Sequence, residues 1–212
     1  MFRHTNMADC CEDKACALDA LRDRQSATLK VVLGINAVMF VVELAAGLMA
    51  GSTALLSDSL DNLGDALTYG FSLYAVSRGP RSKARVALFK GVLILTAGIF
   101  VLCQVAYRIA VPVIPTYEVM GLVSLLALLA NGTCLALLWK HREEDINMSS
   151  VWECSRNDIA ANIAVFVAAG GVLLTHSGWP DILIGALLAL MFLKSAMKVL
   201  KGAIVELRQP VD

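Results

Sequence analysis

The chain is 212 residues long, 58% of them hydrophobic and 17% charged, with a mean hydropathy of +0.68. A soluble domain carries about 25% charged residues, whereas here 21 residues from Val119 to Trp139 and 22 from Ile159 to Pro180 hold no formal charge. About 20 apolar residues span the roughly 30 Å hydrocarbon core of a bilayer, so a soluble enzyme is excluded, and 18 basic against 18 acidic residues leave no basic excess for a nucleic-acid partner.

The first 28 residues form a polar, charged tail without the apolar core and cleavage site of a signal peptide. His4, Cys10, Cys11 and Cys16 make a soft-ligand cluster there. Its spacing matches no closed zinc site, and metal capture and chance both remain open readings. Ala17 to Lys30 reads as an amphipathic interfacial helix, with Leu18, Leu21 and Leu29 set among charges. Six apolar stretches follow, near 31–51, 54–77, 86–107, 119–139, 149–174 and 181–203. They predict an all-α polytopic membrane protein of six transmembrane helices spanning residues 29–208, with 209–212 as a short tail. Only eleven residues follow Lys201, so no soluble C-terminal domain is expected.

Orientation follows from the basic residues. Sixteen of the 18 fall on one side: Arg3, Lys14, Arg22, Arg24 and Lys30; Arg78, Arg81, Lys83, Arg85 and Lys90 around the second loop; Lys140 and Arg142; and Lys194, Lys198, Lys201 and Arg208. Arg108 belongs to the other side, and Arg156 lies inside the fifth span. The positive-inside rule then puts both termini in the cytoplasm. The connections on the opposite side are short, at Gly51–Ser52, Val111–Tyr117 and Ser177–Pro180, and His176 among them reads as a surface residue. The six cysteines are cytoplasmic or intramembrane in this topology, where structural disulfides are not expected.

An ionisable residue inside a span costs roughly 2.5–3.5 kcal/mol on the insertion scale, and function is its default reading. The second span carries Asp58, Asp61 and Asp65, whose offsets of three, four and seven put them on one helical face. A solvated helix end accounts for Asp58 near the outer boundary. It does not account for Asp65, about 18 Å inside the span at 1.5 Å per residue. On the fifth span Cys154 and Asp158 are four apart. Measured from the cytoplasmic side, Cys154, Asp65, Asp158 and Asp61 fall at roughly 10, 12, 16 and 18 Å. Packed side by side, the two helices can offer three carboxylates and a thiolate to one tetrahedral divalent ion, and the thiolate favours zinc or cadmium. Asn36 and Glu43 share a face of the first span and Asn131 interrupts the fourth, which suits either a polar pathway or interhelical hydrogen bonding. Glu153 and Arg156 are spaced for an ion pair, and Cys103 and Cys134 read as packing residues.

These residues resemble the cation diffusion facilitator family of metal/proton antiporters. NAVMFVVELAAGLMAGSTALLSDSLDNLGDALTYG, from Asn36 to Gly70, is similar to that family's first two helices, with its (H/D)xxxD motif at Asp61 and Asp65. NMSSVWECSRNDIAANIAVFVAAGGV, from Asn147, resembles the fifth helix and its second motif, and PDILIGALLALMFLKSAMKVLKGAIVEL resembles the sixth. The resemblance implies that Asp61, Asp65 and Asp158 are transport-site ligands, with Cys154 standing where the family has His or Asp. It implies a short form without the family's cytoplasmic ferredoxin-like domain, which carries further metal sites and dimer contacts. On this reading the protein is no enzyme and holds no cofactor. It exports divalent metal, zinc first and cadmium or others next, from the cytoplasm in exchange for protons across a bacterial inner membrane, alone or as a homodimer. A membrane metal sensor or assembly subunit that binds without transporting is the alternative. An intramembrane aspartyl protease is excluded by its missing Gly-x-Gly-Asp signature, since Asn62 stands where the first glycine belongs.

Overall fold

A computed structural model describes residues 7–75, 80–139 and 148–208, with side chains for 28, 30–71, 84–138 and 158–208. His4 and the side chains of Cys10, Cys11, Cys16, Glu153, Cys154 and Arg156 lie outside what is described. The described residues form six helices: α1 Met7–Ala50, α2 Thr53–Ala75, α3 Pro80–Ala110, α4 Tyr117–Trp139, α5 Met148–Thr175 and α6 Trp179–Arg208. Five of them hold a stretch long and apolar enough to cross a membrane. The exception is α2, where three aspartates interrupt the apolar run. Neighbouring helices shield it instead: α2 packs against α1, α3, α5 and α6, and every residue from 52 to 60 is buried.

The outward faces are apolar. Met49 is 87% exposed, Leu174 82% and Leu122 71%, a surface suited to lipid rather than water. Inside, Leu55, Leu56 and Leu60 of α2 pack with Val165, Ala168 and Val172 of α5 and with Ala189 and Phe192 of α6. Small residues set how closely the helices approach. A Cβ on Gly91 or Gly98 of α3 would come within 2.8 Å of Leu200 or 2.9 Å of Leu193 on α6, so these two glycines, seven residues apart, form one seam.

The α1–α2 turn follows from its sequence. Gly51 takes φ +69°, which glycine adopts without a Cβ penalty, and the Ser52 amide donates back to the Gly47 carbonyl at 2.9 Å. Ser52 then caps α2, its hydroxyl accepting from the Leu55 amide at 3.1 Å. The three short connections meet at this end of the bundle. Thr116 donates its amide to the Ala50 carbonyl at 3.1 Å, and a Cβ on Gly178 would lie 2.5 Å from the Val113 carbonyl.

Three expectations are corrected. The segment from Ala17 to Lys30 is no separate interfacial helix: α1 runs without a break from Met7 to Ala50. No glycine or proline interrupts the chain before Gly34, so helix propagation carries through. Cys103 is exposed on α3 rather than packed, while Cys134 is buried beside Val32 and Tyr69. Lys90 belongs to no loop. It lies ten residues into α3 and is 7% exposed.

Candidate metal pathway

The polar interior begins where α2 begins. Asp181, in the first turn of α6 and 1% exposed, accepts from the Ser52 hydroxyl at 2.5 Å, the Thr53 amide at 2.7 Å, the Thr53 hydroxyl at 2.8 Å and the Ala54 amide at 3.0 Å. A carboxylate here answers the unpaired amides and the positive dipole end of α2. The Ser57 hydroxyl donates to the Gly185 carbonyl at 2.7 Å, and a Cβ on Gly185 would come within 2.6 Å of Thr53. This clasp sets the position of the helix that bears the three aspartates.

Asp58 follows five residues later, and here the structure overturns the boundary reading: its side chain is fully buried, with no hydrogen-bond partner on either oxygen among the described residues. Its depth comes from the neighbours stacked over the α2 N-terminus, which a count of residues from the helix end does not see. Its charge lies within electrostatic reach of Glu43 on α1 and Asp158 on α5. Glu43, also fully buried, accepts through Oε2 from the Asn62 amide at 2.9 Å, while its Oε1 and the Asn62 Oδ1 have no partner among the described residues. Four residues beyond Asp158, which is 8% exposed, Asn162 donates to the Asp158 carbonyl at 2.8 Å and leaves its own Oδ1 without a partner. Buried polar atoms are nearly always satisfied. Orphan oxygens on four side chains therefore mark a polar interior that apolar packing does not explain.

Asp61 and Asp65 are half-buried on the next turns of α2. Among the described residues no three His, Cys, Asp or Glu side chains converge as ligands of one ion. The other pathway candidates separate. Asn36 is 2% exposed and donates to the Val32 carbonyl at 2.9 Å and to the Cys134 sulfur at 3.8 Å, which ties α1 to α4. Asn131 is buried one turn away on α4. His176 is exposed, as expected, at φ +49° just past the end of α5.

Sequence reasoning passed over Asp181, Asn62 and Asn162. The last two had a signal, since each stands one or four residues from a singled-out aspartate. Asp181 had none, because it reads as an ordinary boundary residue.

An apolar shell around one carboxylate-bearing helix is the construction of a polytopic membrane protein with a polar interior. The family model of the cation efflux transmembrane domain matches residues 29–208, and the chain belongs to that family. It is 25% identical over 193 residues to the metal cation efflux system protein CzcD of Cupriavidus metallidurans, covering 84% of this chain and 60% of that protein. It is 27% identical over 205 residues to the zinc transporter ZitB of Yersinia pestis, covering 88% and 64%, and 26% identical over 200 residues to ZitB of Escherichia coli, covering 87% and 63%. The chain thus spans about three fifths of the length of the curated relatives it matches.

Proposed function

We propose that this chain is a secondary transporter that moves divalent transition-metal cations, zinc first and cadmium next, out of the cytoplasm in exchange for protons. The observation that carries the reading is α2: a helix with three aspartates, packed against four others, whose fully buried Asp58 lies within electrostatic reach of Asp158 on α5. The family match and the relatives named for cation efflux and zinc transport support it.

The ligands proposed are Asp61 and Asp65 of α2 with Asp158 and Cys154 of α5. α2 and α5 are in contact, so the proposed ligands stand on neighbouring helices. Like charges resist their close approach until a cation neutralises them. Ligation requires deprotonated carboxylates and thiolate, so protons and metal compete for the same groups. That competition supplies the coupling. Glu43, Asp58 and Asn62 continue the polar route toward the α1–α2 turn, which by the basic-residue asymmetry lies on the non-cytoplasmic side.

The test is zinc flux into vesicles holding the purified chain under an imposed pH gradient. Wild type should carry zinc against the proton gradient, and Asp65→Ala should abolish flux at equal insertion. Normal flux in that variant would sink the reading. Zinc binding without flux in wild type would favour a sensor.

A further inference from the structure

A lysine that marks the cytoplasmic side of a helix normally stands near its end, in contact with water or lipid headgroups. Arg85, in the second turn of α3, is exposed in this way. Lys90 is not. It is 7% exposed, and its Nζ donates to the hydroxyl of Thr68 on α2, itself 4% exposed.

Two marks fix the height of that ammonium. Lys90 meets Thr68, and Ile94, one turn further along α3, lies 3.7 Å from where a Cβ on Gly64 would stand. The two helices run antiparallel, so Asp65 sits at the level between Lys90 and Ile94. Asp65 and Thr68 are three residues apart on one face of α2, a spacing that puts their Cβ atoms about 5–6 Å from each other. The Thr68 hydroxyl thus holds a positive charge one helical turn from a proposed metal ligand. Had α3 needed only a hydrogen bond to Thr68, a neutral amide would have served without the cost of burying a charge.

We propose that Lys90 is a tethered counter-cation of the transport site: Thr68 holds its ammonium beside Asp65, where it offsets carboxylate charge when metal is absent and opposes a divalent ion when metal is present. The inference rests on the reading of Asp65 as a ligand. Its consequence is a moderated metal affinity, which a transporter needs because an ion held too tightly does not leave. Removing one unit charge at about 7 Å, even with the dielectric constant of bulk water (about 80), changes the binding of a divalent ion by about tenfold, and less screening makes the effect larger.

The experiment titrates zinc into the purified full chain by calorimetry, with thermal unfolding to show that each variant is folded, and follows zinc flux in vesicles. Lys90→Met and Lys90→Gln should bind zinc about tenfold or more tighter and turn over more slowly. Lys90→Arg keeps the charge and should stay within about threefold of wild type. Thr68→Val, which releases the tether but keeps the lysine, should tighten zinc by a smaller factor. Wild-type or weaker zinc affinity in the folded neutral variants overturns the proposal and leaves Lys90 a structural tie. Should neither neutral variant fold, unchanged affinity in Thr68→Val overturns it equally. Asp65→Asn separates the two readings. Zinc binding that survives in Asp65→Asn means the site assignment has failed, whereas its loss alongside unshifted Lys90 variants means only the counter-cation has.

Discussion

Asp58 is buried without a hydrogen-bond partner on either oxygen among the described residues, an arrangement that costs stability and that apolar packing would not select. Asp58→Asn should therefore unfold at the wild-type temperature or above it while losing most zinc flux, checked by thermal melts and vesicle transport on one preparation. A variant that transports normally would make Asp58 a packing residue. Cys154 can be tested by metal choice, because thiolate is softer than carboxylate and cadmium softer than zinc. Cys154→Ser should lower cadmium flux more than zinc flux, and zinc should slow alkylation of a variant in which Cys154 is the only cysteine. An unchanged cadmium-to-zinc ratio, with alkylation indifferent to zinc, would assign Cys154 to packing. For the whole ligand set, apparent zinc affinity should weaken as pH falls, since every proposed ligand binds metal only after losing a proton.

At the scale of elements, α2 depends on α6. Asp181 receives two backbone amides and two hydroxyls from the first residues of α2, and Gly185 leaves room for Thr53. Asp181→Ala strands buried donors, and with each costing about 1–3 kcal/mol it should lower unfolding stability by roughly 3 kcal/mol in a detergent melt. Gly185→Ala places a methyl group within 2.6 Å of the Thr53 hydroxyl and 2.7 Å of its backbone carbonyl carbon. Backbone cannot swing away as a side-chain tip can, so α2 must shift, and zinc flux should fall together with stability. The α3–α6 seam offers a control: at Gly98 the added methyl meets only the Leu193 side chain, at 2.9 Å, and Gly98→Ala should reduce stability with less effect on zinc affinity.

For the molecule as a whole, six helices return the chain to the side on which it starts, and the basic residues name that side. In a cysteine-free background, a cysteine at Ser177 should react with a membrane-impermeant maleimide added outside intact cells. One at Asp212 should react only after permeabilisation. The reverse pattern would invert the direction of transport.

All six helices are legible in the amino-acid sequence, because a bilayer leaves few options for 20-residue apolar runs: backbone groups in lipid must be satisfied within the segment. The aspartate face of α2 is legible for the same reason, as charge in an apolar run stands out. The short connections at Gly51–Ser52 and near Ser177 are equally plain. What sequence does not supply is which side chains meet across helices. Periodicity places Asp58 on a face but does not reveal that α6 and its neighbours bury the end of α2. It counts Lys90 with loop residues, because a lysine seven residues from Lys83 looks the same whether its tip reaches headgroups or Thr68. It treats Asp181 as a boundary residue, because its partners lie about 130 positions away in the chain. Spacing along one helix is written locally, whereas partnership between helices arises only once packing has chosen the crossing and register of each pair.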